Sequence, residues 1–143
     1  MGGFRFLEHT ADVKIEAEGE TLEKAFEEAA KALYELMTDT SKIEPKVERK
    51  IEIEGKDLES LLYNWLEEFI YLTDSEGLVF SEINVKAIRK EGDDLYKLVA
   101  TANGEKFNPR KHVSKTDVKA ATYHEMEIDV KKNKVRLVFV LDI

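Results

Sequence analysis

The sequence predicts an α+β fold of mixed α/β type: a single domain, residues 1–143, with a mixed β-sheet and two main helices packed on one face. Three observations lead there. Apolar and polar residues alternate in several short stretches, among them "VERKIEIEG" and "VRLVFVLDI", which is the two-residue period of a half-buried strand. Two longer stretches carry apolar residues three and four apart, the stripe of an amphipathic helix. The elements run β, β, α, β, α and then strands only, with no linker or repeat between them.

Taken in order, Phe4 and Phe6, then Val13, Ile15 and Ala17, hold alternate positions in "FRFLEHTADVKIEAEG" and predict two short strands. Glu8, His9, Thr10, Ala11 and Asp12 break the alternation between them. Gly19 opens a turn, and Thr21 is placed to cap a helix whose apolar side holds Leu22, Ala25, Phe26, Ala29, Leu33, Leu36 and Met37. "TDTSKIEPK" stops that helix with residues that favour turns. "VERKIEIEG" is a third strand, and Asp57 caps a second helix carrying Leu58, Leu61, Leu62, Trp65, Leu66, Phe69 and Ile70, with Trp65 in the core.

From Leu78 to Ala102 the pattern is a long hairpin turning at Gly92, Asp93 and Asp94, with Asn103-Gly104 marking its far end. "EKFNPRKHVSKTD" has no period, and Asn108 with Pro109 favours an irregular surface loop. "VKAATYHEMEIDV" reads as a strand, followed by a turn over Lys131 to Lys134. A last strand, with Val135, Leu137, Phe139 and Leu141 on one face, runs to the final residue.

Composition narrows the chemistry. The absence of cysteine excludes disulfides and thiolate metal sites and makes a reducing, cytoplasmic compartment the expectation. No apolar run approaches the ~20 residues of a membrane span, so no membrane partner is expected, and "MGGFRFLEHT" lacks the regions of a signal peptide. Thirty acidic residues against 22 basic ones give a formal charge of -8, which disfavours strong autonomous binding to nucleic acid.

Familiar catalytic motifs fail. The seven glycines form neither GxGxxG nor a P-loop. "HEMEI" at His124 lacks the second histidine of a zinc-protease helix and lies in a strand pattern, and there is no GxSxG. What remains are the acidic groups near the two ends. Asp12, Asp142 and the α-carboxylate of Ile143 are hard oxygen donors suited to Mg²⁺, Ca²⁺ or Mn²⁺, and His9 offers a nitrogen. If the terminal strands are neighbours, these anions converge and a divalent ion relieves their repulsion. The same residues are also compatible with a plain turn cap at Asp12, a solvated Asp142 and a backbone-bonded His9. Lys119, Tyr123 and His124 fit a strand with solvated polar positions. Lys106, Arg110, Lys111, His112 and Lys115 make a basic loop, open to an acidic partner, to RNA or to solvent alone.

Three separated segments, "FLEHTADVKIEAEG", "GEKFNPRKHVSKTDVKAATYHEMEI" and the terminal "LVFVLDI", resemble the archease family in order and spacing, and the resemblance covers essentially the whole chain. It implies an accessory protein, not an enzyme, that activates an RtcB-type RNA ligase. Such a ligase joins RNA ends carrying a cyclic phosphate or a 3′-phosphate to a 5′-hydroxyl in tRNA splicing. The implied help is promotion of ligase guanylylation and of multiple turnover, with tRNA met only indirectly. A divalent cation is implied at Asp12, Asp142 and the Ile143 carboxylate, with His9 from the same motif. Lys119, Tyr123 and His124 in "KAATYH" become candidates for organising that site or touching the ligase. Two other functions stay open: a chaperone or binding module for RNA-modifying enzymes, and a stand-alone metal-dependent phosphohydrolase.

Overall fold

Strand β1 (Gly3–Leu7) pairs antiparallel with β2 (Val13–Gly19), and helix α1 (Leu22–Met37) follows. The structure, a computed structural model, describes residues 2–7 and 12–143. The first helix starts as its sequence predicts: the Lys24 amide donates to Thr21 Oγ1 at 3.1 Å. A short 3-10 turn at Thr40–Lys42 leads to β3 (Val47–Gly55) and α2 (Leu58–Glu76). Asp57 and Ser60 open α2 as a capping box, each side chain accepting from the other's backbone amide.

These two strand-to-helix passages share a sequence, "EAEGETLE" at 16–23 and "EIEGKDLE" at 52–59, so an internal repeat exists where none was expected. Sterics account for the shared glycine. A Cβ on Gly19 would stand 2.5 Å from the Ala25 amide nitrogen, and one on Gly55 would stand 2.5 Å from that of Leu61. Each helix therefore doubles back closely over the strand that precedes it.

The second half is strands: β4 (Leu78–Gly92), β5 (Leu95–Lys106), β6 (Ala120–Ala121), β7 (Glu127–Lys131) and β8 (Lys134–Asp142). The α+β class stands, but the single mixed sheet is replaced by two sheets, with every pairing among the described residues antiparallel. One has the order β3-β5-β4. The other has the order β1-β2-β8-β6, with β7 also pairing β8. The physical reason lies in the crossovers. Helix α2 returns the chain parallel to β3, but β5 inserts between β3 and β4. Helix α1 carries the chain from one sheet to the other and packs against both β2 and β4.

A single apolar cluster joins both helices to both sheets. Trp65 is wholly buried in it, and its Nε1–H donates to the Phe26 carbonyl at 2.9 Å, which removes the cost of an unpaired indole donor. Val135, Leu137, Phe139 and Leu141 face this cluster as their alternation predicts, while Val138 and Val140 on the opposite face are buried too.

Three boundaries differ from expectation. Asn103 and Gly104 lie inside β5, not at a turn. The chain passes the Phe80–Glu82 bulge there, and a Cβ on Gly104 would come within 1.9 Å of the Val79 carbonyl oxygen. "VKAATYHEMEIDV" is not one strand, because its two ends pair with different parts of the same edge of β8. The chain steps between them through residues 122–126, where Glu125 has φ 53. The last strand ends at Asp142, one residue short of Ile143.

Candidate functional site

The pairing of β2 with β8 sets Val13 opposite Leu141, and the same register carried one residue further sets Asp12 opposite Asp142. On the other side of β8, Ala120 stands opposite Asp142, and the Lys119 amide donates to the Asp142 carbonyl oxygen at 2.8 Å. Three stretches remote in sequence thus meet at one end of one sheet. Asp12 is half-buried at a bend, while Asp142 and Ile143 are exposed. His9 lies outside the described residues, as do Glu8, Thr10 and Ala11.

These groups suit a hard cation by donor type. The Asp12 and Asp142 carboxylates and the Ile143 α-carboxylate are oxygen donors, and no ion pair with a described residue occupies the Asp142 side chain. They do not form a closed cage. Among the described residues no group of three or more His, Asp or Glu side chains stands close enough to hold an ion. An ion bound here would complete its coordination with water or with a partner's groups, as Mg²⁺ commonly does.

The segment after Lys119 is fixed by side chains from elsewhere. Glu67 on α2 accepts from the Ala121 amide at 2.7 Å, and the Thr122 hydroxyl donates to the Val140 carbonyl at 2.8 Å. Tyr123 stacks on Tyr63 of α2, with ring centres 4.4 Å apart, yet remains 52% exposed. Desolvation at this stack, with Tyr63 and Asp57 adding to it, raises the Tyr123 phenol above its ordinary value. His124 is also exposed, with Nε2 2.9 Å from a Glu125 oxygen, and Glu125 accepts from Lys14 Nζ at 2.9 Å. Lys14 stands opposite Val140, two residues before Asp142. Lys119, Tyr123 and His124 therefore come from one short segment that begins at the acidic sheet end and is pinned to α2 and β8.

Two of the basic loop's four Lys and Arg side chains are paired with carboxylates, which weakens its reading as an RNA-binding face. Lys111 pairs with Glu44 and Glu105, and Lys115 pairs with Glu35. His112 is 1% exposed, takes the Asn108 amide on Nδ1 at 2.8 Å, and therefore donates Nε2–H to Glu105 at 3.0 Å. Glu105 is held at about 2, first by the Glu44 amide, then by Lys111 and His112. Sequence reasoning missed Glu67, Tyr63 and Glu105. The partners of Glu67 and Tyr63 lie more than fifty residues away, as does the Glu44 amide that Glu105 accepts.

The fold and this site define a small α+β domain of two antiparallel sheets whose larger sheet brings Asp12, Asp142 and Lys119 to one end. The family model described as the archease protein family (MTH1598/TM1083) matches residues 4–143. The protein archease of Sulfurisphaera tokodaii is 50% identical over 143 residues, 100% of both chains, and that of Pyrococcus furiosus is 55% identical over 129 residues, 90% of this chain and 89% of the other. The solution structure of Methanobacterium thermoautotrophicum protein 1598 superposes with a TM-score of 0.82 at 39% identity, covering 99% of each chain. The crystal structure of an archease and possible chaperone from Thermotoga maritima shares the fold, with a TM-score of 0.59 at 24% identity over 96% of this chain and 94% of that one. The chain belongs to the archease family.

Proposed function

We propose that this chain is a non-catalytic accessory protein that activates an RtcB-type RNA ligase in tRNA splicing, promoting guanylylation of the ligase and its multiple turnover. It works in the cytoplasm and reaches tRNA only through the ligase. No helix among the described residues is long and apolar enough to cross a membrane. The observation that carries this reading is the register of β2, β8 and β6, which gathers Asp12, Asp142 and Lys119 at one sheet end.

In this reading Asp12, Asp142 and the Ile143 carboxylate hold a divalent cation (Ca, Mg or Mn), with His9 joining from the adjoining segment. When bound, such an ion supplies charge stabilisation and orientation to phosphoryl oxygens. The chain's own part is positional. Pairing with Ala120 of β6 at Asp142 itself, and with β2 one residue earlier at Leu141, holds the Asp142 backbone, so its carboxylate is presented from a strand and not from a frayed end. Lys119, Tyr123 and His124 line the same rim and form the surface offered to the ligase.

The test is a guanylylation assay with purified ligase, GTP and metal, with and without this protein. Stimulation that disappears in Asp12→Ala and Asp142→Ala supports the reading, and full stimulation by both variants at limiting metal contradicts it. Phosphoester turnover without any ligase would instead point to a hydrolase. The Thermotoga maritima relative is described as a possible chaperone. For this chain that role predicts protection of a partner from aggregation that survives removal of both aspartates.

A further inference from the structure

A cavity of about 380 Å³ opens between the C-terminal ends of α1 and α2 and the loop that leads to β6. That volume falls in the ~300–1,000 Å³ range of small-ligand sites. Met37, Val79, Phe107 and Val118 give it apolar walls. Its polar lining residues are Asp74 and Asp117, with Thr38, Thr73, Ser114 and Thr116, and no lysine, arginine or histidine; the Thr73 hydroxyl is already engaged by Tyr34 and the Leu78 carbonyl. Among the described residues neither carboxylate is engaged by an ion pair or a hydrogen bond. The neighbouring base, Lys115, is committed elsewhere. Its amide donates to the Met37 carbonyl at 2.9 Å and its Nζ to the Glu35 carbonyl at 3.0 Å, which also ties the loop to the end of α1.

Thr38 adds an independent observation. Thr38 is one of the lining residues and is 0% exposed, and Thr38 Oγ1 is the one buried side-chain polar atom among the described residues without a hydrogen-bond partner. A buried hydroxyl left unpaired is destabilising, and native structures rarely keep one without a ligand or water to meet it. Two carboxylates and no base repel an anion. Apolar walls around a space this large suit an organic body better than a bare metal ion, whose ligands must close in to about 2.0–2.6 Å.

We propose that this cavity binds a small organic cation, a protonated amine on a short apolar body, held by the carboxylates of Asp74 and Asp117 and by the Thr38 hydroxyl. The amine donates to the two acceptor-only carboxylates and to the lone pairs of the Thr38 hydroxyl, and its alkyl part lies on Met37, Val79, Phe107 and Val118. A free metabolite amine and the lysine side chain of another protein share this chemistry.

The experiment follows backbone amide shifts of the intact protein on addition of n-butylammonium chloride, sodium butyrate, or a blocked Ala-Lys-Ala peptide. Saturable shifts at residues 38, 74 and 117 with butylammonium, and none with butyrate, are expected. Tighter binding of the peptide assigns the site to a partner's lysine, and tighter binding of butylammonium assigns it to a free amine. Asp74→Asn and Asp117→Asn, both exposed positions whose exchange leaves the remaining spectrum unchanged, should together weaken binding about tenfold or more. Thr38→Val, which keeps the shape and removes the hydroxyl, should weaken it severalfold. Absence of saturable shifts, equal response to butyrate, or unchanged affinity in the double asparagine variant overturns the proposal.

Discussion

Tyr63 and Tyr123 lie face to face, ring centres 4.4 Å apart and planes within 7° of parallel. The stack ties the second turn of α2 to the turn that carries Tyr123 and His124, on a protein surface where Tyr123 is still half exposed. Replacing either ring with alanine should therefore cost about 0.5–1.5 kcal/mol beyond the lost area. Urea denaturation of the two single variants and the double variant gives the coupling directly, and additive losses would show that the rings do not support one another. Under the ligase reading, Tyr63→Ala should also lower stimulation, because the turn loses its support.

A second expectation concerns acid. The Glu44 amide, Lys111 and His112 hold the Glu105 carboxyl at about 2, against 4.5 for an ordinary glutamate. Because the folded value is the lower one, this carboxylate's contribution to stability is fully present above about 4.5 and is lost as pH falls toward 2. Urea midpoints of the wild type and Glu105→Gln should differ most near neutral pH and converge in acid. A gap that stays constant through that window would assign the effect of the substitution to packing and not to charge.

Thr38 gives a test of sign. Since its hydroxyl finds no partner among the described residues, Thr38→Val should leave the ligand-free protein equally stable or raise its stability by about 1 kcal/mol. A loss of about 1 kcal/mol or more on thermal or urea unfolding would show that the hydroxyl is satisfied in solution.

Much of the fold was legible because its signals are local. Thr21 and Asp57 cap the helices they were expected to cap, and the alternation of β3 and β8 gives their core faces. The division into two sheets was not legible, since nothing local in β3 or β4 says that β5 will come between them. Asn103-Gly104 misled for a related reason. The dipeptide has turn chemistry, but its glycine answers a close approach by the distant Val79 carbonyl. At the site, the chemistry of Asp12 and Asp142 was readable from residue type, while their meeting depended on a β2–β8 register that only the folded chain supplies. Glu67 and Tyr63 sit on an ordinary helical pattern and give no signal of the loop that they hold.

Under the proposed function, Asp12 and Asp142, remote in sequence, together hold one divalent cation. Calorimetric titration of the metal-free protein with Mn²⁺ measures this most directly, alongside Asp12→Ala, Asp142→Ala and a form with residues appended after Ile143. One binding event per chain is expected, abolished by either alanine substitution and weakened by the extension, with the circular dichroism spectrum unchanged. Undiminished binding in the variant lacking both aspartates, or no binding by the wild type, would contradict it.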